Sequence, residues 1–171
     1  MGRAIIPSDT RIVTYVSRGL ESTQGFDIFM KVAKRIYTEY PKVIFVVRAS
    51  DRVEYGTDLQ LTRHHSFKKW VLKKDSYDLS KFRFIGWLLT SDLVRLFNLS
   101  DLHIYLTTPF PLSWSFFNAL ACGATVLASN TAPIREVITH GQNGLLADFF
   151  DVDGLAEQAP MYDNPPLQLF F

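Results

Sequence analysis

Cysteine is nearly absent from this sequence. Cys122 stands alone among 171 residues, so no internal disulfide can form, and a reducing, cytoplasmic compartment is expected. Charge of one sign is missing too. With 18 Lys and Arg against 17 Asp and Glu the formal net charge is +1, which gives no bulk attraction to nucleic acid and makes any anion site a local one. Long apolar runs are also lacking: VIFVV (43–47) has the length of a strand, far below the roughly 20 residues of a membrane span. The opening MGRAIIPSDT has no apolar stretch of the kind a signal peptide needs. The four histidines show no metal-ligand spacing; His64 and His65 are adjacent in a basic segment and His103 lies within a strand run, so no metal is expected. Neither G-x-x-x-x-G-K-[ST] nor G-x-G-x-x-G occurs, which excludes a Walker-type loop and the dinucleotide fingerprint.

What is present is a regular alternation. Short β-branched runs alternate with segments of helical period, the pattern of a Rossmann-like, mostly parallel sheet of about six strands with helices on both faces. RIVTYV (11–16) predicts a strand. GFDIFMKVAKRIYTEY (25–40) predicts a helix with Phe26, Phe29, Val32, Ala33 and Ile36 on one face, stopped by Pro41. KVIFVVR (42–48) is the next strand, and 49–81 reads as one polar surface insertion carrying the basic helix RHHSFKKWVLKK. Strands FRFIG (82–86), LHIYL (102–106), ATVLAS (124–129) and GLLAD (144–148) follow, with helices at 91–99, at PIREVI and from about Asp151. With no repeat, low-complexity stretch or linker, residues 1–171 are expected to form a single domain.

In an open parallel sheet ligands sit beyond the carboxyl ends of the strands, where the strand order reverses. Three loops fall there: SRGLESTQG (17–25), GWLLTSD (86–92) and TTPFPLSWS (107–115). Arg18, directly after a strand, suits a phosphate clamp, with an ordinary surface ion pair as the alternative. Ser113, Trp114 and Ser115 open a helix. Either serine can serve as its N-cap, with Phe116, Phe117, Leu120 and Ala121 as the buried face, and later N–H groups can still face an anion.

Four separated motifs carry a resemblance: Arg18 seven residues before Gly25, FIGWLLTSDLVRLFNLSD, LSWSFFNALACGATVLAS, and APIREVITHGQNGLL. Over about 11–153 the chain resembles the C-terminal, donor-binding half of a GT-B-type retaining glycosyltransferase of the large bacterial family that builds polysaccharides and glycolipids. The resemblance implies a nucleotide-diphosphate sugar of UDP or GDP type as donor substrate, with no further cofactor. It places Arg18 and the residue at Gln24 on the diphosphate, the helix opening at Ser113, Trp114 and Ser115 on the β-phosphate, and Asn118 on the ribose. Three positions depart from the family pattern. Gln24 stands for a basic residue, weakening that contact by about 1–2 kcal/mol. Asn118 stands for a glutamate at the ribose, and Phe110 for the glutamate facing the sugar. No catalytic residue is assigned.

The resemblance also implies a glycan or lipid-linked acceptor bound by a preceding N-terminal domain outside these residues. Three positions remain outside the site. Cys122 reads as a small packed side chain, Glu136 as a solvated or helix-start carboxylate, and RHHSFKKWVLKK as a solvated face that also suits peripheral contact with anionic lipid at the inner membrane surface. The tail APMYDNPPLQLFF departs from the helix expected there. A non-catalytic nucleotide-binding or interaction module stays open beside the enzyme.

Overall fold

The computed structural model describes residues 6–63 and 66–159. His64, His65 and the tail discussed above lie outside the described residues. Six strands form one sheet in the order β3-β2-β1-β4-β5-β6: β1 (Arg11–Gly19), β2 (Val43–Ser50), β3 (Phe82–Ile85), β4 (Leu102–Tyr105), β5 (Val126–Ser129) and β6 (Leu145–Ala147). Every pairing is parallel.

Between them run α1 (Phe26–Glu39), α2 (Asp58–Leu61), α3 (Phe67–Lys74), α4 (Thr90–Asn98), α5 (Trp114–Ala121) and α6 (Ala132–Arg135), and α7 (Val152–Glu157) closes the described part. Residues 13–17 of β1 are buried on both faces, as a central parallel strand must be when helices cover each side. Val13, Tyr15, Phe29 and Phe45 belong to one apolar cluster under α1, α3 and α7; Val16, Tyr105, Phe116, Val126 and Ile134 belong to the other, under α4, α5 and α6. All five residues predicted for the inner face of α1 are buried.

Three expectations change. Residues 49–81 are not a surface insertion: Ala49 and Ser50 end β2, and 51–81 are the crossover between β2 and β3. Its composition is polar because α3 buries only Phe67 and Val71, one turn apart, while Ser66 caps the helix by accepting from the Lys69 N–H at 3.2 Å. The buried face of α5 is Phe116, Ala119 and Leu120; Phe117 and Ala121, four residues apart, share the exposed side. Third, β1 continues to Gly19, so Arg18 lies within the strand. Its register with β2 slips between Val16, paired with Arg48, and Gly19, paired with Ser50, so β1 carries one more residue than its partner there. Such an extra residue bends a strand and re-aims a side chain.

Candidate nucleotide-sugar site

The order of strands reverses direction between β1 and β4, and a cavity of about 550 Å3 opens beyond their carboxyl ends. Its wall includes Arg18, Gln24, Ser113, Trp114, Ser115 and Asn118, so every residue singled out from sequence is brought to one place. Loop 86–92 does not line it. From that region only Leu93 of α4 reaches the wall, while Trp87 borders a neighbouring cavity.

The first wall is the loop after β1. Gly25 ends a short 3-10 turn in the left-handed conformation, φ 66°, and a Cβ there would stand 2.7 Å from the Leu106 Cβ, so only glycine lets this loop lie against the end of β4. Tyr15, whose pKa burial raises, donates its hydroxyl to the Gln24 carbonyl at 2.8 Å and holds the turn from below. The Gln24 side chain is half-buried at the cavity. Arg18 is exposed; it donates to the Tyr55 hydroxyl at 3.0 Å, and its Nε lies 3.8 Å from a Glu54 oxygen. The ion-pair alternative is therefore realised in a loose form, and the guanidinium also lies on the cavity wall.

Tyr55 comes from the β2–β3 crossover, and two buried carboxylates pin that segment to the first loop. One Glu21 oxygen accepts from the N–H groups of Glu54, Tyr55 and Gly56 at 2.8, 2.9 and 3.1 Å. Asp58 accepts from the Ser22 N–H at 2.7 Å and the Ser22 hydroxyl at 2.6 Å. Tyr55 in turn packs against Phe110, ring centroids 5.4 Å apart, across the mouth of the cavity.

The second wall is the start of α5. Ser113 is its N-cap, accepting from the Phe116 N–H at 3.4 Å. Ser115 donates to the Val16 carbonyl at 3.2 Å, so the 2.7 Å contact between the two hydroxyls has Ser113 as donor. The Ser113 N–H is taken by the Tyr105 hydroxyl at 3.2 Å. A helix has no acceptor of its own for its first N–H groups, which leaves those of Trp114 and Ser115 at the cavity with the positive end of the dipole. Trp114 is 84% exposed on the rim, and Asn118, one turn further on, is half-buried. Among the described residues none that lines the cavity is Asp, Glu or His, so the wall offers positive charge and hydrogen bonds but no carboxylate or imidazole.

Sequence reasoning missed Arg48, Tyr55 and Glu21. Arg48 had a signal, a charged residue closing an apolar strand at its carboxyl end; Tyr55 was hidden by reading its segment as an insertion. Elsewhere, burial raises the Cys122 pKa, which fits a half-buried packed thiol, and Glu136 is exposed at the C-terminal end of α6.

One parallel sheet of this order with a crevice at its reversal is a Rossmann-like domain, the unit of which a GT-B fold has two. Solved structures bear this out at the level of fold. An Anabaena protein, Alr3699/HepE, in complex with UDP and glucose superposes with a TM-score of 0.73 at 19% identity, covering 95% of this chain and 41% of that one. The C-terminal domain of LpcC, a glycosyl transferase group 1 family protein of Francisella tularensis, does so with 0.66 at 19% identity, covering 88% and 74%. Residues 3–160 match the family Glycosyl transferases group 1, and the chain belongs to that family. Among its relatives is the N-acetyl-alpha-D-glucosaminyl L-malate synthase of Bacillus anthracis, 27% identical over 154 residues that make up 90% of this chain and 36% of the synthase. Spore coat protein SA of Bacillus subtilis is 27% identical over 144 residues, 82% of this chain. The chain thus spans 36% of the length of either relative. Among the described residues no helix is long and apolar enough to cross a membrane.

Proposed function

We propose that residues 1–171 are a single donor-nucleotide-binding domain, the C-terminal half of a retaining GT-B glycosyltransferase that moves a hexose from a UDP- or GDP-sugar to a glycan or lipid-linked acceptor. The observation that carries this reading is the meeting of Arg18, Gln24, Ser113, Trp114, Ser115 and Asn118 in one cavity at the strand-order reversal. Arg18 and the open N–H groups of α5 hold the diphosphate, where leaving-group charge builds during transfer, and contacts that strengthen with that charge lower the barrier. Asn118 hydrogen-bonds the ribose. The acceptor is bound by a domain that would face this cavity, and any contact with the inner membrane surface goes through the lysines of α3. UDP is favoured by the complex of the Anabaena neighbour.

A non-catalytic nucleotide-binding module is the second reading, favoured by Phe110 packed on Tyr55 where a polar contact to sugar is needed. A thermal-shift screen of UDP, GDP, ADP and their sugars tests both readings. A ligand at 100 times its dissociation constant adds about 2.7 kcal/mol. No shift with any of them removes the nucleotide site; binding without transfer, once an acceptor domain is supplied, favours the module.

A further inference from the structure

The main cavity adjoins a second one of about 400 Å3, lined by Arg18, Arg48, Ser50, Glu54 and Trp87. Arg18 and Arg48 are the two residues common to both, so a pair of guanidiniums stands at the waist between two chambers. Arg48 lies two residues before the end of β2, opposite Val16 of β1, just where the register slips. One of its terminal nitrogens donates to the Ser17 carbonyl at 3.2 Å, while its Nε is buried without a partner. Among the described residues no carboxylate lies within ion-pair distance of it; Glu54 faces Arg18 instead. Burial lowers the Arg48 pKa, and no neighbouring acid offsets that shift. A half-buried cation with an unused donor is costly to keep, and an anion that completes it returns the cost.

We propose that Arg48 is a phosphate ligand: together with Arg18 it clamps a diphosphate at the waist, with the organic group at each end of it in one chamber. A diphosphate carrying a bulky group at both ends is the linkage of a sugar nucleotide, so the inference deepens the nucleotide-sugar reading and rests on it for the identity of the two substituents. The clamp itself requires only the phosphate. Trp87, 74% exposed on the far side of the second chamber, gives one substituent a flat apolar surface.

Calorimetric titration of the full chain with UDP, uridine and pyrophosphate, at low and moderate salt, tests the clamp. Arg48→Met is expected to weaken UDP and pyrophosphate by about tenfold or more and to leave uridine unchanged. The melting temperature of the ligand-free variant stays level or rises, because an unpaired buried cation has been removed. Arg48→Lys keeps the charge without the planar fork and recovers part of the UDP affinity. Two results overturn the proposal: Arg48→Met binding UDP and pyrophosphate as tightly as the unsubstituted chain, or losing uridine affinity and melting temperature together, which marks a structural role. Pyrophosphate binding without UDP binding by the unsubstituted chain keeps the clamp and removes UDP as its nucleotide. Binding of neither removes both.

Discussion

Replacing Glu21 by Ala separates the two segments that hold Arg18 in place. The carboxylate is fully buried, and one of its oxygens accepts three backbone N–H groups from residues 54–56. A buried donor stripped of its partner costs about 1–3 kcal/mol. Glu54 and Tyr55 are themselves exposed, so water reaches part of the vacated site and the lower figure applies to each bond. The sum is about 3 kcal/mol. At about 2–4 °C per kcal/mol for a chain of this size, the melting temperature falls by roughly 6–12 °C. Glu21→Gln keeps one acceptor oxygen and loses about half as much. The second consequence is functional: Tyr55 rides on these bonds and supplies the hydroxyl that Arg18 holds, so nucleotide affinity falls along with stability in Glu21→Ala. Differential scanning fluorimetry reads the first effect and titration with UDP the second. A shift under about 2 °C in Glu21→Ala shows that the three bonds do not hold the segment and refutes the reasoning.

Further predictions are independent of that clasp. Arg18→Ala lowers UDP affinity about tenfold or more with the melting temperature unchanged, since the side chain is exposed in the free protein; equal affinity by calorimetry removes it from the site. Gly25→Ala forces a side chain into the left-handed region and against Leu106, costing roughly 3 kcal/mol or more, read as a lower urea midpoint at constant slope. Burial pushes the His103 pKa down to about 4 from its ordinary 6.5. As pH falls the unfolded chain takes up the proton first, so stability is full above about 6.5, declines towards 4 and is not lost further below it, about 3 kcal/mol in all. Denaturation of His103→Leu at pH 7 and 4.5 checks this: the acid-induced loss shrinks by about 2 kcal/mol, and an unchanged loss shows that His103 is not buried neutral. UDP and its hexose conjugate bind within about tenfold of each other, because Phe110 offers the sugar no hydrogen bond; a conjugate a hundredfold tighter refutes that assignment.

The strands and α1 were legible in the sequence because each carries its own period: VIFVV has nowhere to go but a buried strand, and the α1 face repeats at helical spacing over four turns. Arg18 and the serines of α5 lie near the ends of such elements and Asn118 one turn into α5, which is why they meet at one cavity. The 49–81 crossover was not, since α3 commits only two side chains to the core and leaves no periodic signal. The α5 face was misjudged for a related reason: with mostly apolar residues around the helix, period alone cannot choose between Phe116 and Phe117, and packing against Tyr105, 4.8 Å from the Phe116 ring, decides it. Arg48 and Glu21 act through partners more than thirty residues away, or through the lack of one, which no local pattern contains.

The reversal of strand order between β1 and β4 also sets a timetable. β1 finds β2 across a short helical crossover, but its other edge waits for residues 102–103, and the start of α5 is tied to β1 through Ser115 and Val16, which are 99 positions apart. Contacts of that range form late, since the long intervening loop must be closed before they contribute. During synthesis the half that carries Arg18 and Arg48 can therefore emerge and fold around β1–β3 while half a crevice stands open. A nucleotide that needs both walls has no purchase on that intermediate. It meets its site only after the last long-range docking step, so it slows unfolding without hastening folding.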